Sequence, residues 1–224
     1  MIRIENVSVF GISRAVYSAR NAMNSWNKSD SDMDNDVLGE NDLSLAKRLV
    51  KAGTDHRKFM RMITVYVDIT APLYWFKEFS TYKVGTVVNS CSTMNKIHDK
   101  EFTLDNFSHE HLFDTEDGYF KDTTIENDEY VWKSPLKMLE EYVEMLNMFR
   151  RNYLETKDKK YWWQMVQLLP SSYNQKRTVM LNYEVLANIY KSRKNHKLDC
   201  WIEFCKWIET LPYSELITGK ENEA

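Results

Sequence analysis

Small hydroxyl and amide side chains are concentrated in one short stretch, NSCST at positions 89–93, and such residues can bind an anion. Asn89, Ser90 and Ser92 belong to it, and Lys83 precedes it. Residues of this kind favour turns that leave backbone N–H groups available, and a nearby lysine adds positive charge. The stretch therefore predicts either a phosphate-binding loop or a polar turn that closes a helix.

A second polar group comes directly before an apolar segment. Asp55, His56, Arg57 and Lys58 are consecutive, and Arg61 follows about one helical turn later. Two interpretations stay open: the group is the solvated start of a helix, or it faces a ligand site.

A third polar group lies in the C-terminal part, where we predict a helix from about residue 177 to 192. Asn182 and Arg193 are eleven residues apart, which is close to three turns of a helix, so both side chains are predicted to share one face. Asn188 lies near the edge of that face. The stripe marks either a ligand-contacting surface or an ordinary solvated one.

Metal chemistry is not indicated. His109, Glu110 and His111 superficially resemble metal ligands, but metal sites need a fixed spacing on a defined element and none is evident. The three cysteines contain no Cys-x-x-Cys pair, which argues against a disulfide framework and a structural zinc site. We predict no metal site and a reduced, cytoplasmic setting.

Strands and helices that position these groups follow from the apolar periodicity. Residues 63–69 alternate β-branched or aromatic side chains with polar ones, which predicts a strand with one buried face, and residues 2–9 predict another. Pro72 marks the start of a helix. Apolar spacing of three and four residues predicts helices over residues 13–23 with a Ser13 cap, 42–51 capped by Asp42 or Ser44, 73–83, 135–153, 159–168, 177–192 and 198–211.

Two segments lack such periodicity. Residues 24–42 are dominated by Asp, Asn and Ser, which predicts a mobile, solvated acidic loop. Residues 95–129 contain short apolar pieces among many charges and predict an irregular excursion with little core of its own. Strand signals followed by a helical C-terminal half predict an α+β fold, in one domain over residues 1–224.

Composition narrows the possible partners. The 224 residues are 43% hydrophobic, as in globular proteins, and the net charge of −3 provides no basic field for nucleic acid or a membrane surface. No apolar run approaches the roughly 20 residues that span a bilayer. We expect a soluble protein that binds neither nucleic acid nor membrane, and that binds anions only through a local cluster.

The spacing of several C-terminal residues resembles that of the flavin-dependent thymidylate synthases. Pro170 follows Leu169, Asn182 comes twelve residues after the proline, LANIYKSR ends at Arg193, and Trp201 lies eight residues further on. Upstream, residues 46–53 and His56 stand in the place of the family's Gly-His-x-Ser-x-x-Glu-His stretch. Residues 89–92 look like the Asn-x-x-Ser of its Arg-His-Arg-x-x-Ser-x-Asn-x-x-Ser-x-Arg signature.

This resemblance implies an α+β subunit with a central antiparallel sheet, assembled as a homotetramer with active sites between subunits. It implies binding of FAD and dUMP, with methylenetetrahydrofolate and NADPH as co-substrates. It assigns no catalytic residue. The implied nucleotide-binding residues are Arg193, Lys83, Asn89, Ser90, Ser92, Lys176 and Arg177, and the implied FAD-binding residues are Asn182, Asn188, His56, Arg57 and Lys58.

The chain departs from the family pattern where cations are expected. The sequence TYK at positions 81–83 replaces Arg-His-Arg, with one more residue before the Asn, and Met94, Glu184 and Cys200 replace an Arg, an Arg and a Gln. A glutamate in place of an arginine repels a polyanionic cofactor, by several kcal/mol at about 4 Å and intermediate dielectric. Flavin affinity is therefore predicted to suffer before nucleotide affinity.

Three classes of function remain open. The first is an enzyme that transfers a one-carbon unit to a pyrimidine nucleotide such as dUMP. The second is a catalytically inactive nucleotide-binding homologue with a binding or regulatory role. The third is a structural or regulatory oligomer without a small ligand. This class is the least supported of the three, because residues 83–93 and Arg193 form a polar, cationic set.

Overall fold

The protein has an α+β fold, as its sequence predicts, in a computed structural model that describes residues 2–115, 120–126 and 129–220. The strands are β1 (Arg3–Phe10), β2 (Thr64–Pro72), β3 (Val87–Ser90), β4 (Phe120–Glu126), β5 (Glu129–Lys133) and β6 (Asn174–Asn182). The helices are α1 (Ile12–Ala19), α2 (Glu40–Lys51), α3 (Leu73–Phe79), α4 (Pro135–Thr156), α5 (Lys159–Leu168), α6 (Tyr183–Arg193), α7 (Asp199–Glu209) and α8 (Glu215–Thr218).

The chain divides into two compact units. The sheet unit consists of Ile2–Thr70, Lys77–Ser90 and the chain from Lys176 onwards, and the helical unit consists of Ala71–Phe76 and Cys91–Gln175. One domain over residues 1–224 stays a prediction. None of the helices in the described ranges combines the length and the apolar composition of a membrane-spanning segment.

The four-stranded antiparallel sheet has the order β1-β2-β6-β3. In β2 the side chains of Val65, Val67 and Ile69 are fully buried, while Tyr66 is exposed. Successive side chains of a strand point to opposite faces of its sheet, so one face of β2 packs into the core. The alternation predicted for residues 63–69 is confirmed.

The helix predicted from residue 177 is wrong, because residues 177–182 belong to β6. Val179 and Leu181 are fully buried and alternate with more exposed neighbours, as a strand in a half-covered sheet requires. Asn182 has an extended backbone, and its Oδ1 accepts the N–H of Val185 at 3.0 Å. Such an N-cap residue lies outside the helix it starts, so Asn182 and Arg193 do not share a helix face.

Most residues of the acidic segment 24–42 are exposed, as predicted for a solvated loop, but the segment also takes part in the fold. Its mobility stays a prediction. The Asp36 carboxylate accepts the backbone N–H groups of Gly11, Ile12 and Ser13 at 2.7–3.1 Å. An anion at a helix N-terminus satisfies free N–H groups and complements the helix dipole. Asp36 therefore caps α1 from a distant part of the chain, in the role predicted for Ser13.

The acidic segment 24–42 also binds the N-terminus of α2. Asp30 accepts the backbone N–H groups of Asn41 and Asp42, and the Asp42 side chain is fully buried. There Asp42 forms an ion pair of 2.6 Å with buried Arg20. The prediction that Asp42 or Ser44 caps this helix is therefore wrong.

The helical unit has a core of its own around the predicted helices α4 and α5. Buried side chains from both helices and from the segment before them form one cluster, consisting of Ile97, Phe102, Phe107, Val143, Leu146 and Met165. Buried Asn147 binds both backbone groups of Phe102, accepting its N–H at 2.8 Å and donating to its carbonyl at 2.9 Å. The expectation that residues 95–129 have little core is therefore wrong for the segment up to Phe107.

Candidate functional site

Arg193, the last residue of α6, is held by three contacts. Its Nη1 donates to Glu78 Oε2 at 2.8 Å, and its Nε donates to Tyr82 Oη at 3.0 Å. The guanidinium carbon lies 4.8 Å from the centroid of the Trp201 ring, within the range of a cation–π contact. The side chain is thus fixed in one orientation with 20% of its surface exposed.

Two further ring nitrogens lie near the same Glu78 oxygen. Trp201 Nε1 donates to Oε2 at 2.8 Å, and His196 Nε2 lies 3.5 Å from it. Because His196 Nδ1 accepts the N–H of Leu198, the neutral ring carries its proton on Nε2. We call the side chains of Arg193, Trp201, His196 and Tyr82 the anion cradle.

Aromatic packing positions the cradle. Trp201 is fully buried on α7, and its ring lies 6.4 Å from that of Phe79 at the end of α3 in a stacked orientation. Phe204 contacts both rings edge-on, at 6.1 and 6.0 Å. These contacts place Glu78, which precedes Phe79, beside the C-terminal end of α6. The apolar spacing of residues 198–211 predicted this inner face of α7.

The sheet separates several residues that the resemblance assigns to one phosphate site. Asn89 pairs with Thr178, and Ser90 pairs with Arg177. Cross-strand partners share a face and successive residues alternate, so Asn89 and Lys176 lie on one face and Ser90 and Arg177 on the other. These four side chains therefore do not converge on one ligand.

Lys176 is already engaged on the exposed face. Its Nζ lies 3.1 Å from the Asp68 carboxylate, which also accepts hydrogen bonds from Thr178 and Asn6. The hydrogen bonds from Thr178, Asn6 and Lys176 lower the pKa of Asp68 to about 2. Lys176 thus balances a permanent negative charge.

The stretch 89–93 does not form one loop. Asn89 and Ser90 belong to the edge strand β3, and Ser92 in the helical unit accepts the backbone N–H groups of Met94 and Asn95. Ser92 thus closes a turn, in agreement with the alternative of a polar turn. Lys83 is exposed between α3 and β3.

Arg57 and Glu184 neutralise each other. Arg57 Nη2 and Glu184 Oε1 are 2.9 Å apart, with 19% and 9% of the side chains exposed. Within the described part of the chain, Arg57 Nε and Glu184 Oε2 have no hydrogen-bond partner. The Glu184 charge is thus balanced, but Arg57, which balances it, is no longer available to a ligand.

The five residues assigned to FAD do not form one surface. His56 and Lys58 line a cleft of about 780 Å³ with Phe59 and Met62, whereas Arg57 and Asn188 line another of about 430 Å³. The Asn182 side chain is used as the cap of α6. Within one subunit, these five residues therefore do not line a common cleft.

The prediction that the protein has no metal site does not involve the residues described so far. Within the part of the chain that the structure describes, no group of three or more His, Cys, Asp or Glu side chains is arranged to hold a metal ion. None of Cys91, Cys200 and Cys205 forms a disulfide bond.

Solved structures share this arrangement of sheet and helices. The crystal structure of thymidylate synthase X (ThyX) from Helicobacter pylori with FAD and dUMP superposes with a TM-score of 0.66 at 16% identity, over 97% of each chain. The chain has the ThyX fold. A second H. pylori ThyX structure with FAD and dUMP gives a TM-score of 0.64 at 17% identity, over 96% of this chain and 97% of that one.

The UMP/dUMP methylase PolB from Streptomyces cacaoi, bound with 5-Br dUMP, shares the ThyX fold as well. Its TM-score is 0.59 at 12% identity, over 98% of this chain and 95% of that one. No protein-family model and no curated sequence matches the chain. The resemblance drawn from the sequence is therefore confirmed as a likeness of fold.

Proposed function

We propose that the protein binds a pyrimidine nucleotide such as dUMP and holds its phosphate in the anion cradle. The observation that carries this proposal is the Glu78 carboxylate, one oxygen of which accepts hydrogen bonds from Arg193 and Trp201 and lies 3.5 Å from His196 Nε2. A carboxylate oxygen in such a position stands in for an oxygen of an anionic ligand. ThyX from H. pylori was crystallised with dUMP, and PolB with 5-Br dUMP, which supports the choice of ligand.

A phosphate suits this cradle chemically. A guanidinium forms short, charge-assisted hydrogen bonds with phosphate oxygens, and it keeps its charge at all physiological pH values. Arg193 is ordered by Tyr82 and by the Trp201 ring before any ligand arrives, so little side-chain entropy is lost on binding. With a net charge of −3, the protein relies on such a local cluster to attract an anion.

The geometry supports flavin binding less well than nucleotide binding. Arg57 is paired with Glu184, and Lys191 and Lys194 are the cations that remain beside Asn188 in the smaller cleft, within the described ranges. We therefore propose that FAD binds more weakly than dUMP, so that transfer of a methylene group from methylenetetrahydrofolate with NADPH is slow. A catalytically weak, nucleotide-binding homologue is the function that the geometry supports best.

The second candidate is an enzyme that transfers a one-carbon unit to dUMP, and the likeness to ThyX and PolB favours it. Tritium release from 5-labelled dUMP, with methylenetetrahydrofolate, NADPH and added FAD, separates the two candidates. We expect release barely above that of a protein-free control. Brisk release would establish the enzyme and overturn the proposal of a catalytically weak, nucleotide-binding protein.

We further propose a homotetramer whose contacts use the exposed face of the sheet. Phe10, Tyr66 and Val87 lie on this face, with 55%, 46% and 61% of their surface exposed. Phe10 and Tyr66 form an edge-on ring pair at 6.3 Å. Exposed apolar groups on a sheet face are typical of surfaces that another protein copy covers. A cytoplasmic location stays a prediction.

Light scattering at micromolar concentration is expected to give the mass of four subunits. Tyr66→Glu should lower that mass, because it places a charge within the proposed contact. Trp163→Glu, at a similarly exposed aromatic residue of the helical unit, serves as the matched control. A single-subunit mass for the unmodified protein would refute the tetramer.

A further inference from the structure

We propose that Glu78 is a built-in competitor for the ligand's phosphate and thereby sets the affinity of the site. This inference rests on the proposed nucleotide binding and deepens it. Glu78 Oε2 accepts from Arg193 at 2.8 Å and from Trp201 at 2.8 Å, and it faces His196 at 3.5 Å. These donors are the groups with which the cradle would bind a phosphate oxygen.

Two anions cannot use these donors together. The indole provides one N–H, which it donates to Glu78, and the imidazole Nε2 lies 3.5 Å from the same carboxylate oxygen. A phosphate that approaches the Arg193 guanidinium also meets the negative charge of Glu78, and like charges at close range repel strongly. Binding therefore requires the Glu78 carboxylate to leave the cradle.

The structure allows this exchange. Glu78 is one residue from the end of α3, and 36% of its side chain is exposed, so the carboxylate can rotate into water without leaving a buried charge. Arg193 remains held by Tyr82 and by the Trp201 ring. The Arg57–Glu184 pair differs, because its carboxylate is only 9% exposed and removal of one partner would leave the other as a buried charge.

A purely structural role for Glu78 predicts the opposite effect. If Glu78 served to position Arg193, loss of its charge would loosen the guanidinium and weaken nucleotide binding. If Glu78 competes with the phosphate, loss of its charge strengthens nucleotide binding. The sign of the change in affinity thus separates the two roles.

The test is calorimetric titration of the full chain and of Glu78→Gln with dUMP and with deoxyuridine, which lacks the phosphate. Glutamine keeps the shape and an acceptor oxygen for Trp201 and Arg193, but it carries no charge. We expect Glu78→Gln to bind dUMP roughly tenfold or more tightly than the unmodified chain, with deoxyuridine affinity unchanged. Glu155→Gln, at an exposed position of α4, removes the same charge elsewhere and should change neither affinity.

Each outcome has a definite meaning. Equal or weaker dUMP binding by Glu78→Gln, beside measurable binding by the unmodified chain, overturns the competitor role and leaves the proposed function intact. Binding of dUMP by neither protein overturns the proposed function, and the competitor role with it. Glu78→Asp retains the charge on a shorter side chain, so its dUMP affinity should lie between those of the unmodified chain and Glu78→Gln. Circular dichroism shows whether each variant is folded.

Discussion

Replacing Asp42 by alanine is expected to lower the free energy of unfolding by about 3–5 kcal/mol, because it leaves a buried arginine without its counter-charge. Arg20 and Asp42 are 2.6 Å apart, with 6% and 0% of their side chains exposed. Asp42 also accepts hydrogen bonds from Ser29 and Ser31, both at 2.6 Å. The substitution thus removes the common partner of three buried or half-buried donors, and the acidic segment loses one of its attachments to α2.

Urea denaturation measures this effect. The matched control is Asp34→Ala, which removes an exposed carboxylate from the same segment and should change stability by less than about 0.5 kcal/mol. Similar urea midpoints for the two variants would contradict the structural role of the Asp42–Arg20 pair.

The Arg20–Asp42 ion pair makes the stability of the fold depend on pH in the acidic range. Burial alone would raise the pKa of Asp42, but hydrogen bonds from Ser29, Ser31 and Arg20 outweigh it and lower the pKa. A carboxyl group whose pKa is lower in the folded than in the unfolded state stabilises the fold above its unfolded pKa of about 3.9. This stabilisation is lost as pH falls through the folded-state pKa, so the difference between the unmodified chain and Asp42→Ala should shrink there.

Replacing Arg193 by alanine is expected to weaken dUMP binding by about 1.5–3 kcal/mol, which is the usual value of a hydrogen bond to a charged group. Loss of the guanidinium also leaves Glu78 without its closest cation, so the repulsion of an incoming phosphate increases. Arg193→Lys should recover only part of the affinity, since an ammonium lacks the planar set of donors. The fold should persist, because the side chain is half-buried at the end of α6.

Calorimetry with dUMP gives the measurement, and Lys191→Ala is its matched control. Lys191 is an exposed cation in the last turn of the same helix. It lines the cleft of about 430 Å³ beside Asn188 and is not part of the anion cradle. Its removal should leave dUMP affinity nearly unchanged. If Arg193→Ala binds dUMP as well as the unmodified chain does, the cradle is not the phosphate site.

Local patterns in the sequence predicted the elements that depend on local packing. Helices α4, α5 and α7 have apolar residues at three- and four-residue spacing, and strand β2 alternates, so their buried faces can be read directly. Residues 177–182 were misassigned because their state depends on pairing with β3, about 90 residues earlier in the chain. Strand formation is more sensitive to such context than helix formation.

The candidate site was only partly predictable for the same reason. Arg193 and Trp201 were singled out from their spacing, but Glu78 is 115 residues from Arg193 and no local pattern connects them. Likewise, the Asp36 cap of α1 acts across 25 residues, so the composition of the segment did not indicate this role. The separation of Lys176 from Arg177 by the two sheet faces required the knowledge that β6 is a strand.

Parallel calorimetric titrations of the unmodified chain with dUMP and with FAD test the central claim most directly. The anion cradle predicts saturable dUMP binding that competes with inorganic phosphate, and the paired Arg57 and Glu184 predict weaker FAD binding. Tight, stoichiometric FAD binding by the purified protein, or no dUMP binding at millimolar concentration, would contradict the account.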